Sequence, residues 1–150
     1  MAFIRLTKEF NFEMAHYLTG YDGPCSNIHG HSYKLFVTLI GEPNVEERHP
    51  KLGMVMDFGQ LKAIVSKQIV SKLDHALLIH DTAESRELKP LLTKHFVKVE
   101  YVNYQPTCEN LLVRFAELIK EELPENVRLH HLRLNETETS YAEWYYEDNK

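Results

Sequence analysis

Along the first sixteen residues the apolar side chains fall on one parity. Ile4, Leu6, Phe10, Phe12 and Met14 are even-numbered, and Arg5, Thr7, Glu9, Asn11 and Glu13 fill the odd positions between them. Side chains alternate across a strand, so the pattern predicts one over residues 3–16 with a single apolar face. A second run has the opposite parity: His29, His31, Tyr33, Leu35, Val37 and Leu39, within residues 29–40. Residues 17–28 between them hold Gly20, Asp22, Gly23 and Pro24 and read as a loop. So short a connection joins antiparallel neighbours more readily than parallel ones.

The pattern then changes period. Residues 41–53 are polar, with Gly and Pro, and read as a loop; Met54, Val55 and Met56 lead into a helix. Asp57 is its N-cap, with Gln60 as capping-box partner. Phe58, Leu61, Ile64, Val65, Ile69 and Leu73 recur at helical spacing, and the helix ends near Leu73. Asp74 and His75 follow, then an apolar run from Ala76 to Ile79. Residues 80–95 are polar, contain Pro90, and read as loop with at most a helical turn. Phe96 to Val102 is a strand candidate rich in β-branched and aromatic residues. Thr107 caps a second helix, striped by Leu111, Leu112, Phe115, Leu118, Ile119 and Leu123 and stopped by Pro124. Val127 to Glu136 is a strand whose apolar phase shifts, which predicts a bulge near His130 and His131. Tyr141 to Tyr146 is a last, aromatic strand. The order β-β-α-β-α-β-β predicts an α+β fold, an antiparallel β-sheet with two helices packed on one face.

At 150 residues, without repeat or linker, the chain reads as one domain spanning 1–150. A net charge of −5 is mild and gives no reason to expect nucleic acid or an anionic membrane as partner. No stretch approaches the ~18 apolar residues of a membrane span, and the first residues lack a secretory core. Two cysteines, Cys25 and Cys108, make no disulfide scaffold, although they could bridge. A reducing cytoplasm is the expected location.

The candidate chemistry begins at His29 and His31. Side chains two apart on a strand lie on one face, about 6.5 Å apart along it. That spacing lets two imidazoles turn onto one ion. If the first two strands pair in register, His16 joins them, and three neutral nitrogen ligands face a divalent metal with a fourth position open. Zinc is the first choice for such a set; iron or another transition ion would also accept it. His29 and His31 share parity with Leu35, Val37 and Leu39, so the site must lie at one end of the sheet, where the buried layer gives way to a pocket. Open sheet edges would be relieved by joining several copies in a ring.

The stretch from Cys25 to Tyr33, with His16 upstream, resembles the pterin-synthase family, whose members include 6-pyruvoyl- and 6-carboxy-tetrahydropterin synthases. The resemblance continues through Gly53–Phe58, Leu73–His75, Pro106–Leu111 and Leu134–Thr137, and so covers nearly the whole chain in order. It implies that His16, His29 and His31 hold Zn2+ and that Cys25 is catalytic. Asp74 and His75 match the acid–base pair that assists it. Glu136 matches the carboxylate that anchors the pterin ring, with Thr107 and Glu109 near that pocket. It also implies the tunnelling fold, in which trimers close their sheets into an oligomeric barrel, two trimers stack into a homohexamer, and substrate sites lie between subunits. Three residues separate Cys25 from His29, which resembles the 6-carboxy branch. The implied activity is a lyase of queuosine precursor synthesis acting on a pterin triphosphate substrate, 7,8-dihydroneopterin triphosphate. Products would be 6-carboxy-5,6,7,8-tetrahydropterin, acetaldehyde and triphosphate. Alternatives are 6-pyruvoyl-tetrahydropterin synthase, another pterin lyase, and a non-catalytic zinc-binding assembly protein. The segments 42–53 and 80–95 look longer than the family minimum, and Cys108 stands where small residues are common.

Overall fold

The computed structural model describes residues 1–150. Its spine is two long strands, β1 (Ile4–His16) and β2 (His29–Gly41), antiparallel from Ile4 opposite Gly41 to His16 opposite His29. This register sets even positions of β1 beside odd positions of β2. Phe10, Phe12 and Met14 therefore share a buried face with Tyr33, Leu35, Val37 and Leu39, as the alternation predicts. On the opposite face Arg5, Thr7, Glu9, Asn11 and Glu13 are exposed. β5 (Val127–Asn135) pairs antiparallel with β2, and β6 (Tyr141–Tyr145) with β5. The β2–β5 register slips between Thr38, opposite His131, and Leu39, opposite Leu129. His130 is the extra residue, so the expected bulge is present, and it brings Leu132 and Leu134 back onto the buried face.

The sheet is mixed, not antiparallel as the pattern suggested. The apolar run after His75 is β3 (Ala76–His80), parallel to the end of β1 at Met14–His16, and β4 (Val99–Val102) lies parallel to β3. Six strands result, in the order β4-β3-β1-β2-β5-β6. A strand covered on both faces needs no polar alternation, so Ala76–Ile79 carried no period to read. The expected 96–102 strand begins only at Val99; Phe96 and Val97 are exposed.

Asp57 caps α1 (Phe58–Val65), its side chain accepting from the Gly59 N–H at 2.7 Å; the reciprocal bond expected from Gln60 is not formed. Lys51 holds the same carboxylate at 2.5 Å. The rod continues through a π turn (Ser66–Val70) into α2 (Ser71–Leu73). Leu61, Val65, Ile69 and Leu73 are four residues apart and all buried. Steps of four overshoot a 3.6-residue turn, and the wider π turn takes up the drift. The segment read as loop over 80–95 contains a short α3 (Lys89–His95), with Pro90 in its first turn and no buried residue. Without an apolar stripe it had no helical signature. α4 (Cys108–Glu122) is capped by Thr107, which accepts from the Asn110 N–H at 3.2 Å.

Both rods press on the apolar face of the sheet, joining Leu61, Val65 and Ile69 with Leu111, Phe115 and Ile119 in one core. Phe12 stacks on Tyr33 at 5.1 Å and meets Phe115 edge-on at 6.2 Å. Each such buried side chain contributes about 1.5–3 kcal/mol, which outweighs the weak propensity of helices this short. No helix is long and apolar enough to cross a membrane.

Candidate metal centre and active site

β1 ends and β2 begins at one edge of the buried layer. His16 is buried there opposite His29, and His31, opposite Met14, follows on the same face; both are half-buried. The three rings lie 4.6, 4.9 and 5.3 Å apart, and their candidate ligand nitrogens are all within 4.8 Å of one another. The expected convergence on one face is therefore present.

Backbone carbonyls orient two of the rings. Nδ1 of His16 lies 2.7 Å from the Pro106 oxygen, and Nδ1 of His29 lies 2.7 Å from the Asn27 oxygen. A carbonyl oxygen only accepts, so each Nδ1 carries the hydrogen and each neutral ring presents an Nε2 lone pair. Those two Nε2 atoms stand 3.1 Å apart. Lone pairs at that distance repel unless a positive charge lies between them. Burial pushes the His16 imidazole down, against a proton as that charge. Burial likewise lowers His31, while Glu136 pulls it back up. Neutral nitrogens backed by carbonyl-bound Nδ1 groups suit a divalent transition ion.

Glu136, just beyond β5, places Oε1 3.6 Å from Nε2 of both His16 and His31. The Tyr33 hydroxyl donates to the same oxygen at 3.4 Å, and burial with that carboxylate pushes its phenol up. Cys108 is free, buried, and donates to the Leu134 carbonyl at 3.3 Å; burial, then Glu136, pushes it up to about 12. It is a packed thiol, and no disulfide joins it to Cys25. Thr107 serves as the α4 cap, and Glu109 stands exposed in the first turn.

Cys25 is half-buried in a 3-10 turn, Pro24–Ser26. It is not among the groups that converge with the histidines. Asp74 and His75 form a pair, Oδ2 to Nδ1 at 3.1 Å. Asp74 Oδ1 accepts from the Glu13 N–H at 2.9 Å; that bond first, then His75, holds the carboxyl below its usual range. His75 has a φ of 64°, a left-handed conformation costly for a residue with a Cβ. Its N–H donates to the Glu13 carbonyl at 2.6 Å. Its side chain is largely exposed and lines a depression of about 310 Å³ bordered by Met14, His31 and Ala76 as well as by Glu13, Ala15, Gly30 and Ser32. The last four positions alternate with the histidines and belong to the opposite face of the sheet. One chain thus brings together His16, His29, His31 and Glu136, and sets Asp74 and His75 apart from them. Sequence reading gave no role to the Pro106 and Asn27 carbonyls, which no side-chain pattern reveals. Tyr33 was foreseeable, sharing the parity of His29 and His31.

A family model described as 6-pyruvoyl tetrahydropterin synthase matches residues 5–147. The chain is 38% identical over 141 residues to the 6-carboxy-5,6,7,8-tetrahydropterin synthase of Haemophilus influenzae, covering 93% of this chain and 97% of that one. It is 29% identical over 143 residues to the enzyme of the same name from Rickettsia typhi, covering 93% and 99%. The solved 6-pyruvoyl tetrahydropterin synthase of Caenorhabditis elegans superposes with a TM-score of 0.69 at 24% identity, covering 97% and 96% of the two chains. With the match spanning nearly every element from β1 to β6, the chain belongs to the 6-pyruvoyl tetrahydropterin synthase family.

Proposed function

We propose that this chain is a 6-carboxy-5,6,7,8-tetrahydropterin synthase. It is a lyase converting 7,8-dihydroneopterin triphosphate to 6-carboxytetrahydropterin, acetaldehyde and triphosphate, in the cytoplasm, as a step toward queuosine. The observation that carries this reading is the pair of facing Nε2 atoms 3.1 Å apart, each fixed by a carbonyl behind it, in a chain 38% identical to a synthase of that name. Zinc held by His16, His29 and His31 would supply Lewis-acid chemistry at the hydroxyls of the substrate side chain.

The remaining roles fall to the chain itself. Glu136 offers two oxygens to the guanidine-like edge of the pterin, a bidentate match. Its place 3.6 Å from two ligand rings keeps the ring anchor beside the reacting side chain. Thr107 and Glu109, at the start of α4, border that pocket. Cys25 takes a proton from the side chain, and His75, oriented by Asp74, relays it. Because His75 faces away from the histidines of its own chain, it serves the site of a neighbouring copy. β1 is paired with β3 only at Met14–His16, and β6 is an outer strand. These two open edges favour closure of trimers into a barrel and stacking into a hexamer.

The test is turnover of the triphosphate by zinc-loaded protein, with every product identified by mass. Free acetaldehyde is expected. Retention of all three side-chain carbons would reassign the chain as the pyruvoyl-forming enzyme, and no turnover at full metal loading would leave a binding protein. Cys25→Ala should slow the reaction about a hundredfold or more; an undiminished rate removes Cys25 from the mechanism.

A further inference from the structure

The loop that bears Cys25 is tied to the rest of the molecule at Thr19, whose hydroxyl lies 3.4 Å from His80 Nδ1 and which Gln105 grips through three further bonds. Gln105 Oε1 accepts from the Thr19 N–H at 3.2 Å and from the Thr19 hydroxyl at 3.1 Å, while its Nε2 donates to the Thr19 carbonyl at 2.9 Å. This satisfies both ends of the amide and both backbone groups of Thr19, and it fixes which end is oxygen. Beside this contact the Leu18 N–H donates to the Cys25 carbonyl at 2.8 Å, so the loop closes on itself next to the clamped residue.

The other side of Gln105 leads to the histidines and to α4. Its carbonyl accepts from the Thr107 N–H at 2.8 Å and from Asn110 Nδ2 at 3.0 Å. The next residue, Pro106, is buried, and its carbonyl holds Nδ1 of His16. A single stretch, 105–107, therefore touches the Cys25 loop, a ring of the candidate metal centre and the cap of α4. Proline at 106 narrows the conformations open to Gln105 and stiffens this stretch.

We propose that Gln105 is a positioning residue for Cys25: its side-chain amide ties the root of the 17–28 loop to the backbone that supports His16. The proposal rests on the reading of Cys25 as the proton-transferring group. Gln105 touches no substrate; it acts by limiting how far the thiol strays. Two of the three bonds use the peptide groups of Thr19 and the third its hydroxyl, so replacing Gln105 removes all three whereas replacing the side chain at 19 removes one.

The test compares the parent with Gln105→Met, close in size but without the amide, and Gln105→Glu, which keeps the acceptor and loses the donor. Iodoacetamide labelling of the metal-free proteins, read by mass at Cys25, is the first measurement; Cys108, buried in the core, is the internal control. Gln105→Met should label at Cys25 about tenfold faster, as expected when three bonds of modest net strength no longer hold a loop closed. Gln105→Glu should fall between it and the parent. In turnover, kcat should drop with KM nearly unchanged, because Glu136 and the histidines still bind substrate. Labelling of Gln105→Met at the parental rate overturns the proposal, as does a KM rise with kcat intact. Faster labelling at Cys108 as well would mean general unfolding and also counts against it. If the parent has no synthase activity while Gln105→Met still frees Cys25, the tie stands and the functional reading falls.

Discussion

His130 is the residue at which the β2–β5 ladder slips, and the slip leaves it in an unusual state. It is buried, and its Nδ1 has no hydrogen-bond partner. The bulge sets it beside His131 and the Tyr145 ring, on the face away from the helices. Burial holds the imidazole below its ordinary value of 6.5; Arg5, His131 and Arg128 act the same way, and Glu147 opposes them. A depressed folded value means the unfolded chain takes up the proton first on acidification. The stabilisation from a neutral His130 is thus complete above about pH 6.5 and is lost as pH falls through the folded value. Urea unfolding at pH 8 and pH 5 should show a larger loss of stability for the parent than for His130→Asn. Equal losses would place the acid sensitivity elsewhere. The same residue shows what a sequence displays and what it hides. The break in apolar phase between Leu129 and Leu132 betrayed the bulge, since core residues must return to one face. That His130 lacks a partner depends on everything packed around it, which no local pattern contains. The histidine centre was legible for the first reason: three residues of matched parity on two paired strands have one geometric outcome.

The helical rod from Phe58 to Leu73 ends on charge rather than on a glycine cap. Lys98 Nζ donates to the carbonyls of Ser71 at 2.8 Å and Asp74 at 2.5 Å, satisfying groups that a helix C-terminus leaves bare. Those bonds also fix the peptide that leads into His75 with its positive φ. Lys98→Met should lower stability by roughly 1 kcal/mol, after discount for partial exposure. It should also speed amide exchange at Asp74, whose N–H bonds Val70 at 2.9 Å. Unchanged exchange there would show that the strand pairing of β3 alone sets the turn. Nothing in the apolar pattern marks this device, because a lysine before a strand reads as surface. β1, β2 and α4 were legible since each repeats its period over many residues. β3 and α3 were not, because at five and seven residues they are too short to establish one; β4 was read from its β-branched and aromatic residues, with a start three residues too early.

His16, His29, His31 and Glu136 meet on the helix-covered face, at its rim, whereas His75 looks out from the other side of the same sheet. Met14 pairs with Ala76, which sets His75 beside Glu13, and side chains there point to the face opposite His16. Either the pair is idle or it works in the site of a second copy. The second case makes a quantitative prediction. Co-expressed Cys25→Ala and His75→Ala chains, each inactive alone, would assemble into mixed rings. With equal random mixing, a site drawing Cys25 from one copy and His75 from another has both groups intact in about one case in four. The purified mixture should recover about a quarter of the parental rate per chain. If each chain supplied both groups to its own site, every site would lack one of them, and the mixture would stay as slow as its components. Mass photometry on the same sample gives the ring size independently, with a hexamer expected.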